Sequence, residues 1–377
     1  MAKDINLCSE MYMNTSQYNK TVKRSFDILQ EYIPANYSTK FKNPCWYDFH
    51  QIPTNLLNQK DQCSFPGSID LSQAKHVLQQ LKNSSEGQLH CLPAFFLSGF
   101  PKCGTTSLHQ MILQHPLVAK SSCKECGFWS RLVSDHSLGS HVRIFVLWYL
   151  SLFSQSTETI QSNRLSITLD ASITYNQYLS NDYCVLPVLL TRVLPEAKFV
   201  LIMRNPSERY CSHYWFITVR QKFTNRTEFI QYGHTKKALE SFVADTVHAI
   251  KQFQSCADTV NPIISCVLDT AFILSGLQQG LYYYHIVPWL KFIPRERFLF
   301  LRTEDLAHDT SLTMSKVWHF LNVDDLPEIQ RIFTNIGPVN ENVVIPPQTK
   351  KLINDFYQPY NQLLSHLLSD TRYLWNE

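Results

Sequence analysis

The sequence predicts an α/β fold, a parallel β-sheet flanked by helices. Three observations predict it. Short apolar runs bounded by turns alternate along the chain with longer segments of helical period. Phe199–Met203 is apolar at every position, as in a strand buried on both faces of a parallel sheet. The first such run, 94–98, passes through Gly99, Pro101 and Gly104 into a helix, a P-loop-like succession of strand, glycine-bearing turn and helix start.

The elements follow in order. Residues 1–40 are polar and aperiodic and read as a stem or loosely ordered arm. Residues 41–91 hold Trp46, Tyr47, Phe49, the cysteines Cys45 and Cys63, and a helical stretch Leu71–Leu81; they read as an extension packing on the main domain, 92–377. In that domain strand 94–98 leads to helix 105–114. A helix over 139–153 has Val142, Phe145, Val146 and Tyr149 as its apolar stripe. Strand 165–169, helix 185–193, strand 199–203 and helices 206–219 and 236–256 come next. Asp269–Leu290 is helical with a break near Gly276–Gly280, followed by strand 297–301 and helices near 310–321 and 349–369. Strands alternating with helices imply right-handed crossovers.

Two stretches carry chemistry. At the first helix start, backbone N–H groups and the helix dipole favour an anion. Lys102 adds a full charge, and Thr105, Thr106 and Ser107 add hydroxyls. The lysine stands before the second glycine, whereas the nucleotide triphosphatase loop has it after. Taken alone, the stretch is either an anion cradle or a plain strand-to-helix turn with a surface lysine. The second stretch is Lys198–Phe216. Its strand ends at Arg204, whose planar fork suits a phosphate. Pro206 suits a first helical turn, and Arg209 and Ser212, three apart, can share a face.

Pro-Lys-Cys-Gly-Thr-Thr at 101–106 and Arg-Asn-Pro-x-x-Arg-x-x-Ser-x-Tyr at 204–214 resemble the 5′-phosphosulfate loop and the 3′-phosphate motif of sulfotransferases that use 3′-phosphoadenosine 5′-phosphosulfate (PAPS). Lys124–Trp129 resembles the K-E-x-x-F-[FW] segment of Golgi carbohydrate sulfotransferases. Asp170–Tyr175 resembles their [DE]-x-S-P-x-Y segment, with Ile173 in place of proline. Gly280–Tyr282, Trp289, 298–306 and 348–368 resemble later blocks, so the likeness spans roughly residues 92–370. It is nearest in type to the enzymes acting on C6 of 4-sulfated N-acetylgalactosamine in chondroitin or dermatan sulfate.

The resemblance implies the sulfotransferase fold and site roles. Lys102, Cys103, Gly104, Thr105, Thr106 and Ser107 would hold the phosphosulfate, Arg204 and Ser212 the 3′-phosphate. Lys102 would also stabilise the leaving group, and Glu125 would act as base, with His109 and His115 as alternatives; Glu125 could instead form a salt bridge to Lys124 or Lys102 at the pocket edge. It implies PAPS as co-substrate, no metal, a sulfated glycan as acceptor, and the Golgi lumen. Lys120, Lys124 and Arg131 could meet an anionic glycan or be solvated charges. Pro338–Pro347 lacks the basic residues of heparan-acting relatives, and Ala171 stands where some have lysine; both fit a galactosaminoglycan type. Rival readings are a non-catalytic PAPS- or glycan-binding relative and an ATP-dependent P-loop kinase.

Composition sets the bounds. A 377-residue chain with 44% hydrophobic and 13% aromatic residues can bury a large core. A net charge of +3 favours no class of partner, a local basic groove could still hold a polyanion, and no basic run points to nucleic acid. The longest apolar stretch, Ile144–Phe153, is short of the ~20 residues of a membrane span, and no signal peptide or anchor is visible. Eleven cysteines leave at least one unpaired if the rest bridge. Cys123 and Cys126 read as free thiols or as bridged to distant partners, not as a zinc site. Cys103 reads as a small packing residue. Five N-x-[ST] sequons, at Asn14, Asn19, Asn36, Asn83 and Asn225, lean with the cysteines toward a secretory lumen.

Overall fold

The computed structural model describes residues 16–50, 63, 83–134, 142–177, 184–222, 236–260, 263–267, 276–334 and 345–376. The expected helix Leu71–Leu81 and parts of the 269–290 and 338–347 segments lie outside them. The chain runs through helix α1 (Ser16–Gln30), strand β1 (Cys45–His50), strand β2 (Asn83–Cys91) and strand β3 (Phe95–Leu97). Helix α2 (Thr105–Ile112), the short strand β4 (Val118–Ala119), and helices α3 (Phe128–Ser134), α4 (Val142–Ser151) and α5 (Ser154–Ser162) follow. Next are β5 (Ile167–Asp170), α6 (Val185–Val193), β6 (Lys198–Met203), α7 (Pro206–Lys222) and α8 (Lys236–Thr259). The last third holds α9 (Ile264–Val267), α10 (Tyr282–Phe292), β7 (Phe298–Arg302), α11 (Thr303–His308), α12 (Thr310–Leu321) and α13 (Pro347–Leu368).

Five strands form one parallel sheet in the order β4-β5-β3-β6-β7. The register sets Phe96 beside Phe199 and Phe199 beside Phe298. Their rings stack at 5.3 and 5.2 Å, an aromatic ladder across three strands. Phe95, Phe96 and Leu97 are wholly buried, which is why the run is apolar at every position. From β3 the chain crosses to the edge strand β4, returns inward as β5 beside β3, then crosses to the other side as β6. The order reverses at β3, and ligand crevices of open α/β sheets lie beyond the strand C-termini at such a switch point.

Two regions differ from the sequence reading. The arm expected over residues 1–40 is helical from Ser16, and α1 packs on α6. Val22, Leu29 and Ile33 are buried, with Phe26 packed partly against the core. The 22, 26, 29, 33 spacing is helical, but the polar residues between them masked it. β1 and β2 form an antiparallel pair with Cys45 opposite Cys91, and these two are joined by a disulfide. Cys63 bonds Cys123, and Cys256 bonds Cys266; Cys103, Cys126 and Cys211 are free thiols.

Candidate active site

Four strand ends converge. β3 opens into Ser98–Gly104, β6 into Arg204, β5 into Ala171–Thr174 and β7 into Thr303. The Ser98 and Phe100 N–H groups donate to Val200 and Ile202 O at 3.1 and 2.9 Å, so the loop runs alongside the end of β6. Lys102 and Gly104 take left-handed backbone, φ 66° and 82°. Turns of this hand gather N–H groups into an anion-binding concavity. Gly104 is the residue just before α2, a conformation that costs glycine little. Thr105 and Ser107 are buried in the first turn and Thr106 is half-buried. The Ser107 hydroxyl accepts from the Thr334 N–H at 3.0 Å, so it also anchors a distant segment.

Two side chains from late in the chain bind the loop to β6. The Thr303 hydroxyl lies 2.7 Å from Cys103 O and 3.1 Å from Met203 O. The Tyr282 hydroxyl donates to Arg204 O at 2.8 Å and lies 3.4 Å from Cys103 Sγ, and its ring packs on Phe100. Asn176 donates to Ser98 O and Oγ at 2.7 and 2.9 Å from the other flank. Cys103 is wholly buried, and burial pushes its thiol up to about 11, so it is a packing residue, not an activated one.

Charge gathers on this side. The Asn205 side chain accepts from the Ser207 N–H at 3.0 Å, and Pro206 opens α7. Arg204 is half-buried and pairs with Glu208 at 3.3 Å. Ser212 is half-buried on α7. Arg209 does not share that face: it is wholly buried, donating to Gly276 O and to Gln279 Oε1 at 3.2 Å, both uncharged. Its Nε has no partner among the described residues. Burial first, then the charges of Arg204 and Arg209, lower the Lys102 ammonium from its ordinary value. The Lys102 ammonium rests 4.3 Å above the Phe216 ring.

Across from it, the loop 121–127 lies against the end of β5. The Glu125 N–H donates to Ala171 O at 2.8 Å, and Glu125 takes left-handed backbone, φ 68°. Its carboxylate pairs with the Lys124 ammonium and accepts the Ile173 N–H at 3.2 Å. Gly127, φ 62°, donates to Ser172 Oγ at 3.1 Å. Behind it Asp170 is wholly buried and accepts from Ser172, Tyr175 and Tyr149 hydroxyls at 2.6, 2.6 and 2.9 Å. Burial raises its carboxyl, and these bonds partly offset the shift. The two sequence blocks 124–129 and 170–175 are thus one interlocked unit.

The two histidines named as alternative bases are placed differently. His115 Nδ1 accepts from the Leu117 N–H at 3.1 Å, so Nε2 carries the proton and donates to Asp324 O at 2.9 Å. Both nitrogens serve the fold. His109 is buried, and burial, with Lys124 and Lys120 nearby, lowers it to about 4. Sequence reasoning gave Tyr282, Thr303, Asn176 and Arg209 no role in the site; Tyr282 and Thr303 appeared there only inside the resembling blocks 280–282 and 298–306.

The chain matches the sulfotransferase domain family over residues 92–336, and it belongs to that family. It is 27% identical to carbohydrate sulfotransferase 15 of Rattus norvegicus, over 91% of this chain and 66% of the relative, and 26% identical, with the same coverage, to that of Homo sapiens. Membrane-associated sulfotransferase kil1 of Dictyostelium discoideum is 23% identical over 75% of this chain and 67% of the relative. The chain therefore spans about two thirds of the length of the relatives it matches. A crystal structure of a sulfotransferase from Alicyclobacillus acidocaldarius is 19% identical with a TM-score of 0.47, covering 74% of this chain and 96% of that one. Among the described residues no helix is long and apolar enough to cross a membrane.

Proposed function

We propose that this chain transfers a sulfuryl group from PAPS to a glycan hydroxyl, most specifically C6 of a 4-sulfated N-acetylgalactosamine in chondroitin or dermatan sulfate. The observation that carries the reading is the gathering of Lys102, Arg204 and Arg209 beside a helix N-terminus, with a carboxylate at the neighbouring strand end. An excess of positive charge at a preorganised loop suits a donor with a phosphosulfate at one end and a 3′-phosphate at the other.

In this reading Lys102 and the N–H groups of 102–107 hold the phosphosulfate oxygens, and Lys102 neutralises the departing 5′-phosphate. Arg204 and Ser212 hold the 3′-phosphate. The sulfur–oxygen bond to the phosphate breaks as the one to the acceptor oxygen forms, and Glu125 takes the hydroxyl proton. The protein's part is alignment and charge stabilisation. The rat and human relatives are named carbohydrate sulfotransferases, which supports a glycan acceptor. Disulfides such as Cys45–Cys91 support work in an oxidising lumen, the Golgi by family resemblance.

The test is transfer of labelled sulfate from PAPS to a glycan panel, wild type beside Lys102→Ala. Label on chondroitin 4-sulfate that falls by about 10²–10³ in the variant is expected for loss of one preorganised charge. Wild-type protein that binds no PAPS would sink the reading.

A further inference from the structure

We propose that Lys124 selects the acceptor: it occupies Glu125 until an anionic group on the incoming sugar draws its ammonium away. The inference rests on the sulfuryl-transfer reading above and specifies how that site recognises an already sulfated chain.

Neighbouring side chains in an extended segment point to opposite sides. The left-handed backbone at Glu125 breaks that alternation, and the Lys124 ammonium meets the Glu125 carboxylate. The other carboxylate oxygen takes the Ile173 N–H. Both oxygens are therefore engaged before any acceptor arrives. The backbone around them is pinned: Cys123 is bonded to Cys63, Glu125 N–H to Ala171 O, and Gly127 N–H to Ser172. What can move is the flexible lysine stem.

The pair is also reachable and exchangeable. The Lys124 and Glu125 side chains are 22% and 35% exposed. An ion pair in contact with water contributes little, so a competing anion can replace one partner at little cost. Lys120 is exposed, and both ammonium groups act on the same buried His109, so the two positive charges lie near enough to favour an incoming anion. A sulfate ester on the sugar takes the ammonium and frees the carboxylate oxygen. That oxygen then accepts the proton of the hydroxyl whose oxygen forms the new bond to sulfur. An acceptor without the anion leaves Lys124 on Glu125.

The experiment compares PAPS-dependent transfer to chondroitin 4-sulfate and to desulfated chondroitin, using wild type, Lys124→Met and Lys124→Arg. Wild type is expected to favour the sulfated chain. In Lys124→Met, kcat/KM on the sulfated chain should fall by about ten- to a hundredfold, the scale of one charged hydrogen bond, while transfer to the desulfated chain rises. Lys124→Arg should keep the wild-type order, and added salt should erode the wild-type preference. A lysine that only braces the loop would lower both rates together, and that result overturns the inference. Equal wild-type rates on the two chains overturn it while leaving sulfuryl transfer standing. Wild-type protein that transfers to no glycan overturns the transfer reading itself, and this inference with it.

Discussion

The two sides of the site treat charge in opposite ways. Around the 98–104 loop Lys102, Arg204 and Arg209 gather with Glu208 and Glu304 as nearby acids, and Arg209 is buried against uncharged partners. At the end of β5 Glu125 is paired with Lys124, and Asp170 is saturated by hydroxyl donors. A buried charge without an opposite one is costly, whereas a satisfied network is rigid. One side holds more cationic groups than acidic partners; on the other the carboxylates already have partners.

The largest expected effect separates the two. Glu125→Gln should lower turnover by about 10²–10⁴, the range for losing a general base, yet keep the thermal stabilisation given by adenosine 3′,5′-bisphosphate. Lys102→Ala should lose both. If Glu125→Gln also abolishes the nucleotide-induced shift, the sides are not separable as described.

A smaller effect falls on Arg209. Arg209→Met should weaken adenosine 3′,5′-bisphosphate by about tenfold, as for one charge felt across several ångströms at an effective dielectric near 20. Calorimetry reads this directly, and unchanged affinity would reduce Arg209 to a brace for the Gly276 turn.

The smallest effect is on pH. Burial, then Arg209 and Lys102, lower His213 to about 3, so it is neutral when folded and takes a proton more readily when unfolded. Stability from this group is complete above the ordinary histidine value near 6.5 and is lost as pH falls toward 3. Melting temperatures from pH 7 down to pH 4 should fall, and His213→Gln should flatten part of the slope. A slope untouched by the substitution would assign the loss to other groups, such as His109.

The central strands and the turns that carry the two motifs were legible because backbone pattern makes them. Buried parallel strands are apolar at every position, and glycine, proline and a strand-end arginine mark the turns. β4 has only two residues, too short to carry a periodic signal, and β2, reading Asn-Ser-Ser-Glu-Gly-Gln, shows no apolar alternation at its start. Arg209 looked like a surface partner of Ser212 because helical spacing gives a face but not its depth. Tyr282 and Thr303 come from about 180 and 200 residues beyond Cys103, a pairing no local pattern encodes. A salt bridge from Glu125 to Lys124 or Lys102 was legible, and the structure has the Lys124 pair; the left-handed backbone at Glu125, a residue that is not glycine, was not.

The clasp of Thr303 and Tyr282 on the Cys103 loop has a consequence for the order in which the molecule is made. The loop and Arg204 leave the ribosome long before the residues that fasten them together. Nascent chains stalled before residue 303 lack the fastening hydroxyl, so the loop is tied to the end of β6 by Thr303 only at a late stage of synthesis, once β7 has docked.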